Sequence, residues 1–172
     1  MTNYAIITNY PFPGFAATSN RVNALARALS EDKKNNVTVF GPGSDINSLN
    51  DKLNFKVVDV KQENMKHINL FYRAILELKY FFRQAKAIKS HKIDVIVITI
   101  PSFFLLGFSY LSFFNKKIIV DVRDIVWEYL IKKGGLYSII GIVLKYFSLF
   151  FLKFSFHIYV TNENELAKIK NS

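Results

Sequence analysis

The first thirty residues place a strand, a loop and a helix in succession, and this order constrains the fold more than any other feature. Residues 4–8 form a short apolar run, and a loop that contains two prolines follows it. A strand that leads through such a loop into a helix is typical of the start of a βαβ unit. Beyond the loop, apolar residues recur at helical spacing: Val22, Leu25, Ala26 and Leu29.

The loop has the chemistry of an anion site. Gly14 and Ala16 flank Phe15 in it, and small residues there leave backbone N–H groups open at the start of the helix. Because a helix N-terminus carries partial positive charge, it favours a phosphate or a carboxylate. The dinucleotide motif G-x-G-x-x-G is absent. Two interpretations stay open: contact with a phosphate or a sugar, or the plain turn that any α/β domain needs.

The rest of the chain continues the alternation of strands and helices. Apolar runs predict strands over residues 37–40, 55–60, 93–100, 118–120 and 157–161. The run at 93–100 is nearly all β-branched, as in a parallel strand that is buried on both faces. We therefore expect one domain over residues 1–172: a Rossmann-like, doubly wound, mainly parallel sheet of about six strands with helices on both faces.

Composition and charge narrow the function classes. The 23 Lys and Arg residues outnumber the 13 Asp and Glu, and the resulting net charge of +10 favours a polyanionic partner or an anionic membrane surface. The basic residues are interleaved with bulky apolar ones, so nucleic acid is not the expected partner. The chain has no cysteine and its three histidines are scattered, so no metal is expected. The start lacks a basic, apolar leader, which predicts a cytoplasmic location.

Charged residues follow the predicted strand at 118–120. Ligands of open α/β sheets bind at the carboxyl ends of the strands. Arg123 would hold a phosphate or a carboxylate through two parallel hydrogen bonds, and Asp124 would bind sugar hydroxyls or act as a base. The alternative is an internal Arg/Asp pair that closes this edge of the sheet.

A long helix is predicted from about residue 67 to residue 89. One face has an apolar stripe that we expect to contact the core, and the other faces mix cations with aromatic residues. Those faces are either solvated or lie on lipid headgroups. The stripe comprises Ile68, Phe71, Ile75, Leu78, Phe82 and Ala85. The predicted membrane-contact residues on the other faces are Arg73, Lys79, Tyr80, Arg83 and Lys86.

Residues 136–156 are the most apolar stretch of the chain. Lys145 and Lys153 interrupt it, and lysines in the middle of a span are costly in hydrocarbon, so a full crossing is disfavoured. Two interpretations remain. The stretch is a helix in the membrane interface whose two lysines reach outward to the headgroups, or it is a helix buried against the sheet.

Three local motifs, taken in this order, resemble a known family. Residues 21–29 have the form R-x-x-x-L-A-R-x-L, residues 99–102 contain T-x-P, and residues 121–128 read DVRDIVWE. Together they resemble the N-terminal domain of family-four GT-B glycosyltransferases, whose third motif is D-x-R-D-L-W-P-E, and the resemblance runs from residue 4 to about residue 170. Two positions depart from the family pattern: Phe15 follows Gly14 where a glycine pair is usual, and no proline follows Trp127.

The resemblance implies an acceptor-side domain, with Arg123 and Asp124 facing the reacting centre and no metal cofactor. The donor would be a nucleotide-sugar, and the donor-binding domain of such enzymes is absent from these residues. By resemblance, the acceptor is a lipid-linked glycan of O-antigen or capsule synthesis, at the inner face of the plasma membrane. The alternative is a non-catalytic membrane-anchoring subunit, or a truncated remnant, that pairs with a separate donor-binding chain; in either case we expect no activity of this chain alone. The implied substrate-binding residues are Gly14, Phe15, Ala16, Arg21, Pro101, Ser102 and Glu128.

Overall fold

The computed structural model of the chain describes residues 1–12, 17–43, 53–62, 70–100, 105–122, 125–160 and 163–170. Strands and helices alternate through most of these residues. The strands are β1 (Thr2–Ile7), β2 (Asn35–Gly41), β3 (Lys56–Asp59), β4 (Val95–Ile100), β5 (Lys117–Val122) and β6 (His157–Val160). The helices are α1 (Ala17–Glu31), α2 (Leu70–Lys89), α3 (Leu105–Ser112), α4 (Val126–Lys133), α5 (Leu136–Leu152) and α6 (Glu163–Lys170).

The six strands form one parallel sheet in the order β3-β2-β1-β4-β5-β6. The chain therefore winds outward in one direction from β1 to β3 and in the other direction from β4 to β6. Tyr4 pairs with Val37 on one side and with Val95 on the other, which places β1 at the centre. This topology confirms the predicted Rossmann-like α/β fold. The point where the winding reverses lies between β1 and β4, and such a point leaves a crevice at the carboxyl edge of the sheet.

Each face of the sheet has its own apolar core, because successive side chains of a strand point to opposite faces. On one face, Ile6 and Val97 contact a core to which α1 contributes Val22 and Ala26. The other face carries the larger core, which is covered by α2, α3 and α5. Their buried contributions to it are Tyr80, Phe81, Ala85 and Ile88 from α2, Leu106 from α3 and Leu152 from α5.

The core-facing side of α2 differs from the predicted stripe. Leu76, Tyr80 and Phe81 are buried, whereas Phe82, which the stripe placed in the core, is 55% exposed. Ala85 is buried as expected. The prediction chose one of two apolar stripes that both have helical spacing. The sheet contacts the stripe that also carries Gln84, a polar residue that hydropathy alone assigns to the surface.

Helices α4 and α5 form a hairpin in which α5 comes very close to α4. The turn contains Gly134 and Gly135, both at positive φ (76° and 57°). Gly141 of α5 lies against the backbone of α4: a Cβ built on it would be 2.8 Å from the carbonyl oxygen of Trp127. Of the α5 residues, Gly141 and Leu152 are buried, and most of the other side chains are at least partly exposed. The helix therefore does not lie buried against the sheet along its length, as one of the two interpretations required.

Candidate functional site

The carboxyl end of β1 is held in place on both sides before the chain enters the predicted ligand loop. The N–H of Thr8 donates to the carbonyl of Phe40 (3.0 Å), and the hydroxyl of Thr99 donates to the carbonyl of Ile7 (3.0 Å). Further along, the N–H of Phe12 donates to the carbonyl of Pro42 (2.7 Å), and the Phe12 ring is buried. The first part of the loop is thus fixed relative to β2 and β4.

Two polar side chains of α2 complete this anchoring from beneath. The amide nitrogen of Gln84 donates to the carbonyl of Thr8 (3.0 Å), and the Tyr80 hydroxyl donates to the same oxygen (3.4 Å). Both side chains are almost fully buried. Burial raises the pKa of the Tyr80 phenol well above its usual value, so the hydroxyl remains protonated. The predicted membrane contact of Tyr80 is therefore wrong, because the ring and its hydroxyl point inward, to the start of the candidate site.

An ion pair joins α1 to β5, the second strand from β1 in the sheet. Arg21, in the first turns of α1, donates to the carboxylate of Asp121 near the end of β5 at 2.5 Å. The Asp121 side chain is 2% exposed and that of Arg21 is 36% exposed. A charge-assisted bond of this kind holds α1 against β5, while part of the Arg21 side chain stays exposed. The resemblance implied a substrate-binding role for Arg21, and the structure adds Asp121 as its partner.

Several predicted site residues lie outside the described residues, and their predicted roles stay predictions. They are Gly14, Phe15, Ala16, Pro101, Ser102, Arg123 and Asp124. Their neighbours in sequence are described, however. Residues 12, 17, 100 and 122 all lie at or beside the carboxyl edge. Glu128 is half-buried in the first turn of α4, which follows β5 at this edge.

The other predicted membrane-contact residues have different exposures. Lys79, Arg83, Lys86 and Lys153 are exposed, whereas Lys145 is half-buried. Arg83 also donates to the carbonyl of Lys61 (3.2 Å). The side chain of Arg73 lies outside the described residues. The charged part of the predicted surface is thus present on α2, although Tyr80 does not belong to it.

Sequence reasoning missed Tyr80, Gln84 and Asp121 as elements of this edge. A glutamine inside an apolar helical stripe is a signal that would have found the first two, since a buried amide needs a partner and strand-end carbonyls supply one. Asp121 was visible as the first residue of the D-V-R-D segment, but its partner is 100 residues earlier in the sequence. Only the fold brings the two together.

A polar cavity of about 490 Å³ lies at the opposite, amino edge of the sheet, where Asn3, Asn36 and Lys92 are among its lining residues. The amide of Asn36 donates to Asn3 (3.0 Å), and Asn3 donates to Asp94 (2.9 Å). The backbone N–H of Asn3 donates to the same carboxylate (2.9 Å), and this bond, together with that from the Asn3 side chain, lowers the pKa of Asp94. The lining amides thus bind one another, so the cavity is not a better candidate than the carboxyl edge.

The described part of the chain offers neither a metal site nor a membrane-spanning helix. No three His, Cys, Asp or Glu side chains come together there as a possible metal site. None of the described helices has both the length and the apolar character needed to cross a bilayer.

Comparison with known proteins gives similarity in structure only. No family model and no curated protein matches the sequence. Among solved structures, MurG of Acinetobacter baumannii superposes with a TM-score of 0.54 at 12% identity, over 95% of this chain and 42% of that one. UGT2 of Phytolacca americana superposes with a TM-score of 0.53 at 10% identity, over 77% of this chain and 32% of that one.

Both neighbours are GT-B glycosyltransferases. This chain spans less than half of the length of either of them. At such low identity the similarity establishes the fold alone, and the match with MurG extends over nearly all of this chain. The chain therefore has the fold of part of a GT-B glycosyltransferase.

Proposed function

We propose that this chain is the acceptor-side, N-terminal half of a family-four-like retaining glycosyltransferase. The observation that carries the proposal is the Arg21–Asp121 ion pair, because it joins the helix that follows β1 to the carboxyl end of β5, and open α/β sheets bind ligands at the carboxyl ends of their strands. Both residues belong to segments that resemble the family, namely residues 21–29 and 121–128. The similarity to MurG and UGT2 supports the fold that this function requires.

In this proposal the domain positions an acceptor hydroxyl next to a nucleotide-sugar. The exposed part of Arg21 would contact an anionic group of a substrate, and Asp121 holds its guanidinium in place. Arg123 and Asp124 would face the reacting centre, while residues 14–16, Pro101, Ser102 and Glu128 would line the substrate. Holding an acceptor in the reactive geometry accounts for a large share of the barrier reduction in transfer reactions. We propose no metal cofactor.

The donor-binding half would come from outside the 172 residues. This chain covers 42% of MurG and 32% of UGT2, so either neighbour has more than twice the corresponding length. The donor-binding half would close over the carboxyl edge, where the first part of the ligand loop is already anchored by Thr8, Gln84 and Phe12. By itself the chain would then bind an acceptor without transferring a sugar.

The proposed acceptor is a lipid-linked glycan of surface polysaccharide synthesis, met at the cytoplasmic face of the plasma membrane. The net charge of +10 supports an anionic membrane, as do the exposed cations Lys79, Arg83 and Lys86 on α2. A lipid-linked sugar cannot leave the bilayer, so an enzyme that uses it has to work at the surface.

The test is a backbone-amide NMR titration of the whole chain with a farnesyl-diphosphate-linked monosaccharide as a soluble acceptor analogue. We expect shifts in the first turn of α1 and at the carboxyl ends of β4 and β5, and an Arg21→Met variant should weaken binding about tenfold. An Arg27→Met variant is the matched control, because Arg27 is an exposed arginine on the same helix. Shifts confined to the amino-edge cavity, or none, would contradict the proposal.

A second candidate is a non-catalytic subunit that anchors a separate donor-binding chain to the membrane. The exposed apolar side of α5 favours it, since such a subunit needs a lipid surface but no acceptor site. The same titration separates the two candidates. A subunit of this kind would show no shifts at the carboxyl edge with the acceptor analogue, yet would bind vesicles.

A further inference from the structure

The outer side of α5 is an exposed apolar stripe that runs along the whole helix. Its members recur at spacings of three and four residues, and the exposed fraction of their side chains runs from 56% at Phe150 to 71% at Leu136. The outer stripe, as we name it, consists of Leu136, Ile139, Val143, Tyr146 and Phe150. Five large apolar side chains aligned on one helix face form more than the isolated exposed residues that are normal for a protein surface.

A different side of α5 already packs against the rest of the domain, so the outer stripe is not needed for the core. The inner side of α5 is already packed: Gly141 lies against the α4 backbone, Phe147 lies over Gly107 of α3, and Leu152 is in the large core. On the same side, the Phe151 ring stacks on Tyr110, whose hydroxyl donates to Ser155 (2.8 Å). The helix therefore has a fixed position, and in that position the outer stripe faces away from the sheet.

The charged residues of α5, and those next to it in the sequence, are lysines. Between residues 129 and 162 the sequence has four lysines and no Asp or Glu. Lys132 and Lys133 precede the stripe and Lys153 follows it, and all three are exposed. A docking surface for another protein commonly mixes charges of both signs around its apolar centre. An apolar stripe with exposed lysines before and after it in the chain is complementary to an anionic bilayer, whose phosphates meet the lysines while its acyl chains accept the stripe.

Neighbouring helices extend this surface. Because α2, α3 and α5 cover the same face of the sheet, their outward side chains point away from it on one side of the molecule. Phe82 on α2 is 55% exposed and contacts Phe108 on α3. Leu111 on α3 is 68% exposed. The apolar surface thus continues from α5 to the part of α2 that carries Lys79 and Lys86.

We propose that the outer stripe lies in the headgroup region of an anionic bilayer, with Lys132, Lys133 and Lys153 at the lipid phosphates. This contact would give the proposed acceptor-side domain its place on the membrane. It rests on the proposed function in one respect, namely that the acceptor is linked to a lipid. Helix α5 follows β5 by way of α4 and leads into β6, so the outer stripe belongs to the connection between two neighbouring strands of the sheet.

The experiment is co-sedimentation of the whole chain with vesicles of phosphatidylcholine alone or mixed with phosphatidylglycerol, at low and high salt. We expect binding to the anionic vesicles that weakens as salt increases. A Val143→Asn/Phe150→Asn variant should bind at least about tenfold more weakly than the wild type, because two apolar side chains no longer enter the lipid. Both positions are more than half exposed, so the fold should tolerate the change, and circular dichroism checks this.

A second pair of variants tests the charges. Lys132→Gln/Lys133→Gln should weaken binding about thirtyfold at low salt. The matched control is Lys33→Gln/Lys34→Gln, another exposed pair of adjacent lysines, which follows α1 on the other face of the sheet. The control should bind like the wild type if the contact is local. Equal losses in both pairs would mean that only net charge matters, and would overturn the proposal.

Other outcomes would overturn it as well. Wild-type protein that binds no anionic vesicle, or a stripe variant that binds as well as the wild type, contradicts a lipid contact of α5. A dimer in sedimentation velocity that the stripe variant abolishes, with no lipid binding, would identify the stripe as a contact between copies of this chain. The vesicles contain no glycan, so a negative result is separate from the fate of the proposed acceptor site.

Discussion

At the scale of single residues, the Arg21–Asp121 pair shows how a mostly apolar domain holds a charge in its interior. The carboxylate of Asp121 is almost completely buried, and a carboxylate in that position requires compensation by hydrogen bonds and positive charge. The partly exposed guanidinium supplies both. Its attachment joins the segment that follows the ligand loop to the end of β5, two parts of the chain that the sheet separates by β4.

We expect Arg21→Met to lower the free energy of unfolding by about 1–3 kcal/mol, because Asp121 stays buried with one charged partner fewer. The range is below that of a fully buried pair since the Arg21 side chain is 36% exposed. Urea unfolding measures the effect. Arg27→Met is the matched control and should change the free energy by less than about 0.5 kcal/mol.

A double-mutant cycle identifies the pair itself as the cause. Arg21→Met combined with Asp121→Asn should cost less than the sum of the two single variants. Strict additivity, or an Arg21→Met variant as stable as Arg27→Met, would show that the two side chains do not stabilise each other.

Tyr80 predicts a dependence of stability on alkaline pH. Burial raises the pKa of its phenol in the folded state above the ordinary 10.0. Its contribution to stability is therefore complete below pH 10 and declines as pH rises further, because the unfolded chain loses the proton first. Tyr80→Phe should be within about 1 kcal/mol of the wild type at pH 7, since the lost hydrogen bond is long.

The measurement is urea unfolding of the wild type and Tyr80→Phe at several values of pH between neutrality and strongly alkaline solution. The stability of the variant relative to the wild type should rise above pH 10. A constant difference at every pH would mean that Tyr80 ionises equally well in the folded protein. Tyr129→Phe, at a side chain that is 68% exposed, is the control.

At the scale of elements, the α4–α5 hairpin depends on glycine where two helices approach most closely. A Cβ on Gly141 would lie 2.8 Å from the Trp127 carbonyl oxygen and 2.9 Å from the Ile131 nitrogen, both of which are backbone atoms. Gly107 is crowded differently, because its nearest neighbours are ring atoms of Phe147 and Phe151. A ring can rotate away from a new methyl group, whereas a helix backbone has to move as a whole.

We therefore expect Gly141→Ala to lower the free energy of unfolding by about 1–3 kcal/mol, and Gly107→Ala to lower it by less. Alanine favours a helix over glycine by about 1 kcal/mol, so a loss at Gly141 appears in spite of that gain. Urea unfolding gives the comparison. Fluorescence adds a local measurement, since Trp127 is the single tryptophan, its side chain is buried, and its own carbonyl is at this contact.

Emission from Trp127 should shift to longer wavelength in Gly141→Ala, because the shifted helix admits water to the indole. If Gly141→Ala raised the free energy of unfolding, or changed it by as much as Gly107→Ala, α4 and α5 would have room to separate without cost.

The same elements show how far the sequence predicts the structure. Strands were predictable because their apolar runs are short and bounded by turns, and β4 is found at Val95–Ile100 within the predicted 93–100. Helix α4 was not predicted, since its Val126–Lys133 segment is short. Its first residues were also interpreted as part of the family motif at 121–128 and not as the start of a helix. The inward side of α2 was predicted wrongly because two stripes compete, and only the strand-end carbonyls that Tyr80 and Gln84 bind decide between them.

At the scale of the whole molecule, the sequence predicts at which edge of the sheet the candidate site should lie, but only some of the residues that lie there. The carboxyl edge follows from the order of strands and helices, and the observed strand order confirms the reversal of winding on which that prediction depends. Arg21 was among the predicted residues through the family resemblance. Its pairing with Asp121 was not predictable, because the partners lie on elements that only the sheet order brings together. The exposure of α5 likewise depends on which side of the helix α3 and α4 cover.

The central position of β1 also determines when the protein can fold during its synthesis. Tyr4 pairs with Val95, so the first strand made waits for the fourth before its second edge is covered. Until then, α1 and β2 can cover one side of β1, while the side that β4 will occupy stays open to other chains. Contacts so distant in sequence slow folding. A ribosome-bound chain that ends before β4 is therefore the form of this protein most in need of a chaperone.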